Sequence, residues 1–268
     1  MIASVWTWLT EPANWSGAGG IGIRLIEHLR YSAVVLVIAA GIAIPLGLWA
    51  GHSGRGRWLI TSANAARAVP TIGLLFAVSL WLGPHIHGDL AFTIPSVLVL
   101  VLLAIPPILA GAYAGVEAVD PAVRDAARGM GLTGPEVLRR VEVPIALPLM
   151  LSGVRSAVLQ VVATATVAAY VGLGGLGRFL IDGLASARYD VMAGGAILVA
   201  ALALAADLVM AGIQRVVVSP GLRATARGGK QRRSRRVDRS GLEPHRLDRT
   251  MLDGTPPDVP RPTASVDR

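Results

Sequence analysis

Cysteine is absent from the 268 residues, and Lys230 is the sole lysine. Without cysteine there is neither a disulfide framework nor a thiolate metal site. A nucleotide-binding P-loop needs Gly-Lys followed by Ser or Thr, and Lys230 is followed by Gln231. The chain is therefore not read as an ATPase, and no nucleophile–base pair or metal cluster marks it as another enzyme. Charged and aromatic side chains are also scarce, at 16% and 5%, whereas 53% of the residues are hydrophobic. With a mean hydropathy of +0.58, so little charge cannot cover the surface of a soluble domain of this size. The start of the chain lacks the basic, apolar, small-residue order of a cleavable signal. The first long apolar segment is expected to direct insertion and to stay in the bilayer. The formal charge of +8 does not indicate a nucleic-acid partner. Most of the excess follows Ser219, and elsewhere the arginines flank apolar runs as loop charges do.

What the chain has in quantity is long apolar runs. About 20 helical residues, each rising about 1.5 Å, cross a hydrocarbon core of about 30 Å. Five segments meet that test: 31–51, 58–83, 90–116, 144–171 and 191–214. The second, fourth and fifth carry Arg67, Arg155 and Asp207 respectively. An arginine at the centre of a span costs about 2.5–3.5 kcal/mol, against about 0.3–0.6 gained per Leu, Ile, Val or Phe. Each span holds enough apolar residues to offset one such charge. The expected fold is an all-α integral membrane protein with its transmembrane domain over 31–218. Residues 1–30 form an N-terminal segment suited to the interface, because Trp6, Trp8 and Trp15 favour the headgroup region. From Ser219 the chain is rich in Arg, Asp, Pro, Ser and Thr, too polar to bury a core. Residues 219–268 are expected to be a disordered basic cytoplasmic tail, with Arg232, Arg233, Arg235 and Arg236 able to touch anionic lipid.

Arginine placement sets the orientation. Arg55 and Arg57 follow the first span, Arg124, Arg128, Arg139 and Arg140 lie between the third and fourth, and the tail is arginine-rich. The loop 84–89 has neither Arg nor Lys. The positive-inside rule then makes the C-terminus cytoplasmic and leaves the N-terminus outside.

The most informative stretch is the inter-span loop 117–143. Asp120 is placed to cap a short helix with Pro121 at its first position, where a missing N–H costs nothing. Gly129 and Gly131 end that helix. Thr133 and Glu136 have the spacing of a capping box that opens a second one. Val137, Leu138 and Val141 give the second helix an apolar face, and Pro144 is expected to stop it. A structured amphipathic element at the inner face of a membrane suits docking in a groove of another protein.

Within that loop Asp125-Ala126-Ala127, three residues, Gly131, nine residues, then Val141-Glu142-Val143-Pro144 resembles the EAA–Gly–Ile-x-Leu-Pro signature. The signature marks permease subunits of binding-protein-dependent ABC importers. Asp stands here for the Glu, Val for the Ile and Val for the Leu, with the spacing kept. The resemblance covers about residues 27–214 and is nearest to importers of quaternary ammonium osmoprotectants: glycine betaine, choline, carnitine and proline betaine. The stretches behind that choice are His28-Leu29, Ile44-Pro45-Leu46-Gly47, Arg67-Ala68-Val69-Pro70-Thr71, Ala104-Ile105-Pro106-Pro107-Ile108 and Val171-Gly172-Leu173-Gly174-Gly175-Leu176-Gly177. Methionine importers share the five-span core and the glycine-rich loop, and are the nearest rival.

The resemblance implies a five-helix permease core with a cytoplasmic coupling helix, in a bacterial plasma membrane. Asp125, Ala126, Ala127 and Gly131, with Val141 and Pro144 closing the motif, would couple it to a separate ATPase dimer. That dimer would bind the ATP and magnesium, so this chain is expected to hold no cofactor. A second permease subunit, identical or paralogous, and an extracytoplasmic solute-binding protein complete the implied partners.

Other patterns carry less. Gly172-x-Gly174-x-x-Gly177 matches the dinucleotide fingerprint in letters, but that motif requires a strand before it and a helix after it. An outer loop near the translocation gate, containing Gly172, Gly174, Gly175 and Gly177, is the expected reading. His85 and His87 lack the Cys or Glu neighbours of a metal site. Arg67, Arg155 and Asp207 sit at a similar shallow depth, so Asp207 is a candidate partner for Arg155 or Arg67, an unpaired intramembrane charge being costly. Pro45, Pro70, Pro106 and Pro107 interrupt helical hydrogen bonding within spans, which is tolerated where a neighbouring helix or cavity compensates. A gradient-driven transporter would be expected to show midplane acids and paired repeats, and Asp207 alone does not supply them.

Overall fold

The computed structural model describes residues 2–65 and 68–218. Arg67 and the tail from Ser219, both singled out above, lie outside the described residues, all of which belong to one compact unit. Among the described residues every regular element is helical.

Helix α1 (Ile2–Thr10) buries Val5 and Trp8. A turn with Gly17 at φ +86 leads into α2 (Ile21–Ser53), a helix of 33 residues that ends on Gly54 at φ +67. That left-handed conformation is the usual way glycine terminates a helix. The helix starts at Ile21, ahead of the expected boundary at 31. The polar residues in its first turns explain why it need not break there. Arg24 pairs with Glu27 at 2.9 Å, and buried His28 donates from Nε2 to the Val162 carbonyl at 3.1 Å.

Residues 58–83, expected as one span, are divided into α3 (Arg57–Ala65) and α4 (Thr71–Leu82). Pro70 is the cause. Proline brings no N–H to a helical ladder and disfavours the helical region at the residue before it, while the Pro70 carbonyl starts α4 by accepting from the Leu74 N–H at 2.9 Å. Four described helices are long and apolar enough to cross a bilayer on their own, beginning at Ile21, Leu90, Gly134 and Tyr189.

Helix α5 (Leu90–Glu117) lies between α2 and the later helix α8 and is the most buried of the long helices. Small residues make both contacts close. A Cβ on Gly47 of α2 would lie 2.6 Å from Cβ of Ala112. One on Gly111 of α5 would lie 2.8 Å from Cα of Gly153. In lipid, where no hydrophobic force drives helices together, such backbone approach supplies the packing energy. Proline in α5 creates a polar debt: Pro107 has no N–H for the Leu103 carbonyl one turn earlier. The Gln160 side-chain amide, reaching across from α8, donates to that carbonyl at 2.8 Å.

After α5 come the short helices α6 (Pro121–Gly129) and α7 (Gly134–Val137), then α8 (Val143–Ala165). Pro144 does not stop the second short helix, contrary to the expectation from sequence. A π-turn over Leu138–Glu142 joins α7 to α8, with the Val143 N–H bonding back to the Leu138 carbonyl. The π-turn lies immediately before Pro144, where the regular i→i−4 ladder that proline interrupts is already replaced by wider bonding. Helix α9 (Gly177–Ala185) and α10 (Tyr189–Val217) complete the described helices. Near its N-terminal end α10 is packed by Trp8 over Gly194 and by Phe179 over Gly195, the two rings meeting edge-on with centroids 5.2 Å apart. Farther along, Ile197, Leu204, Leu208, Val209 and Ile213 are exposed, as a helix facing lipid or another subunit would be.

Candidate functional site

The loop between α5 and α8 is an ordered hairpin built from its own capping residues. The Asp120 side chain accepts from the Ala122 N–H at 2.9 Å, with Pro121 opening α6. Gly131, at φ +91, reverses the chain after α6. The Thr133 N–H and hydroxyl both donate to Glu136 Oε2, at 3.0 and 2.8 Å.

The motif residues divide between two sides of this hairpin. Asp125, Ala126 and Gly131 are exposed, together with Met130. Asp125 lies 3.6 Å from Arg128 and is otherwise open to solvent. Ala127 faces inward and is only 2% exposed, so its side chain belongs to the seat of α6 on its own chain rather than to the outer face. Val141 is half-buried and Pro144 is exposed.

Beneath the hairpin is a polar cluster not anticipated from the sequence. Glu142 is 1% exposed. The His52 Nδ1, at the end of α2, donates to its Oε2 at 2.7 Å. Arg124 of α6 brings Nε to 2.8 Å from its Oε1, as an ion contact in which the N–H is not aimed at the oxygen. The same guanidinium donates through Nη2 to the Val116 carbonyl in the last turn of α5. Four helices therefore meet at one carboxylate and one guanidinium. The signal available in sequence was thin, because Glu142 occupies the unspecified position of the motif.

Arg155 and Asp207 are brought together. Nε and Nη2 of Arg155 each donate to a separate carboxylate oxygen of Asp207 at 2.6 Å, a bidentate pair between α8 and α10. Gln214 lies beside it, its Oε1 3.5 Å from Nη1.

At the opposite end of the molecule the glycine-rich loop folds against the start of α2. The Gly175 N–H donates to Glu27 Oε2 at 2.8 Å. A Cβ on Gly174 would strike that same carboxylate at 2.4 Å, and one on Gly177 would meet the Thr166 carbonyl at 2.4 Å. Gly172 and Gly175 hold φ of +96 and +93, where side chains are strained. The loop follows a helix rather than a strand, so the dinucleotide reading has no structural support. In the 84–89 loop, His85 Nδ1 donates to the Trp81 carbonyl at 3.1 Å.

The sequence profile described as "Binding-protein-dependent transport system inner membrane component" matches residues 43–219. The carnitine transport permease protein OpuCB of Listeria monocytogenes is 30% identical over 209 residues, spanning 78% of this chain and 93% of that protein. The glycine betaine/carnitine/choline transport system permease protein OpuCB of Bacillus subtilis (strain 168) is 30% identical over 199 residues, spanning 73% and 88%. Among solved structures, an inward-facing MetNI methionine ABC transporter superposes with a TM-score of 0.65 at 22% identity, covering 78% of this chain and all of that one. At that identity the likeness is one of fold.

Proposed function

The chain belongs to the family of binding-protein-dependent transport system inner membrane components, and from that premise we propose that it is the permease subunit of an ATP-driven importer for quaternary ammonium osmoprotectants. Glycine betaine, choline, carnitine and proline betaine are the solutes of that class. The substrate assignment is supported by relatives whose names specify carnitine, glycine betaine and choline. The MetNI likeness favours a methionine importer only as a shared fold.

The observation that carries the reading is the capped hairpin over 120–142, with Asp125, Ala126 and Gly131 on its open face. Small Ala and Gly allow a partner backbone to approach closely, and Asp125 offers a carboxylate to a basic residue. A cytoplasmic ATPase would seat here, two ATPase subunits serving a permease pair, identical or paralogous. The ATPases would bind ATP and magnesium, and their closure would move the hairpin. An extracytoplasmic binding protein would deliver solute. The arginine-rich hairpin would then be cytoplasmic, with the N-terminus outside and the C-terminus inside. The few aromatic side chains, at 5% of the sequence, place little cation–π capacity in the permease, so selectivity resides chiefly in the binding protein.

Reconstitution tests this. Proteoliposomes holding the permease, its ATPase and the binding protein are expected to accumulate labelled glycine betaine only with internal ATP. Unlabelled choline or carnitine should compete and methionine should not. Uptake blocked by methionine alone would move the assignment to amino acids, and uptake without the ATPase would refute the importer reading.

A further inference from the structure

We propose that Glu142 is the pivot of a clamp that makes the 120–142 hairpin and the inner ends of α2, α5 and α8 move as one body. The inference rests on the importer reading and deepens it by naming residues that carry motion from the ATPase seat into the spans.

The helix geometry is arranged around this carboxylate. Val137 and Glu142 are both buried, five residues apart, and are followed by buried Ala146 and Met150 at intervals of four. A spacing of five on one face is the repeat of the π-turn that lies between them. In an uninterrupted α-helix Val141 would take the inward position, and Glu142 would be rotated about 100° away. An apolar side chain would have suited a simple packing contact. Instead the chain adopts a rare turn, of a kind frequent at functional positions, that puts a carboxylate there.

What Glu142 meets are the ends of other elements rather than their middles. His52 is the penultimate residue of α2, and Arg124 lies one turn into α6. The Arg124 guanidinium bridges Glu142 to the Val116 carbonyl at the end of α5. A buried carboxylate held by one hydrogen-bond donor, His52, and one guanidinium, Arg124, tolerates little displacement, because separation would leave a charge without partners. A push on the exposed side of α6 therefore reaches the ends of α2, α5 and α8 without a flexible joint. Ala127, buried against the same chain, adds a packing contact on the inner side of α6.

The test uses the complete transporter and two readouts. The first is the ratio of glycine betaine imported to ATP hydrolysed in proteoliposomes. Glu142→Gln keeps the size and removes the charge, and is expected to lower that ratio about tenfold in complexes that contain their full complement of ATPase. An unchanged ratio, with uptake and hydrolysis falling together, would overturn the clamp. If Glu142→Gln does not assemble, Arg124→Lys and His52→Gln are judged by the same ratio. The second readout is a spin-label distance between Val123→Cys on α6 and Arg55→Cys just beyond α2, in the otherwise cysteine-free chain. The wild-type distance is expected to stay constant between nucleotide-free and ATP-bound complexes, and to broaden in Glu142→Gln. A wild-type distance that changes on ATP binding would show α6 moving independently and would refute the proposal. Failure of the importer reading is distinguishable, since it would appear as a wild-type complex with no ATP-dependent uptake.

Discussion

Replacing Gly153 by alanine tests the packing on which the transmembrane core depends. A Cβ at this position would lie 2.6 Å from the Pro107 carbonyl oxygen and 3.0 Å from Cα of Gly111. Ordinary contact begins near 3.4 Å, so the first distance is about 0.8 Å short. Both obstacles are backbone atoms, so no side chain can swing away and α5 and α8 must separate. Overpacking of this kind costs about 1–3 kcal/mol, and separation would also stretch the Gln160 bond to the Leu103 carbonyl. At about 2 kcal/mol the folded-to-unfolded ratio drops roughly 30-fold. Gly41→Ala is the control, because a Cβ at Gly41 in α2 meets nothing within 4 Å. Unfolding of the purified proteins in detergent, followed by helical circular dichroism, should show Gly153→Ala destabilised and Gly41→Ala unchanged or slightly stabilised. Equal stability of the two variants would refute the close α5–α8 crossing.

Gln160→Leu should remove the amide that serves the Leu103 carbonyl and destabilise by about 1–3 kcal/mol in the same unfolding assay, whereas a matched change at exposed Ser156 should not. Neutralising either member of the Arg155–Asp207 pair should reduce the yield of folded permease in membranes. The reversed pair Arg155→Asp with Asp207→Arg should recover more yield than either reversal alone, and failure of the double variant to exceed the singles would argue against their direct pairing.

The long apolar runs made most of the architecture legible. Segments 90–116 and 191–214 are occupied by α5 and α10 with only small shifts at their ends, because uninterrupted apolar length leaves the backbone few alternatives to a spanning helix. Proline was harder to read, since its effect depends on what surrounds it. Pro70 divides a segment into two helices, Pro106 and Pro107 sit inside an unbroken one, and Pro144 follows a π-turn that accommodates it. At Pro107 the difference is visible in Gln160, a residue 53 positions later. No local pattern encodes that rescue. The hairpin caps were legible because Asp120, Thr133 and Glu136 act on neighbours in sequence. The Glu142 cluster was not, because the π-turn changes which residue faces inward and His52 lies 90 positions away. Arg155 and Asp207 stood out as charges in apolar segments, although sequence alone left Arg155 and Arg67 as equal partners for Asp207. The glycine-rich loop was placed by its position after a span, while its attachment to Glu27 required the fold.

The most direct test of the hairpin's role uses Ala126→Cys as the single cysteine in the chain. In right-side-out vesicles a membrane-impermeant maleimide should leave this residue unlabelled, and in inverted vesicles it should label fully. Adding the ATPase should then protect it and allow a short thiol cross-linker to join the two proteins. Labelling from the external side, or full reactivity in the presence of bound ATPase, would contradict a cytoplasmic docking hairpin.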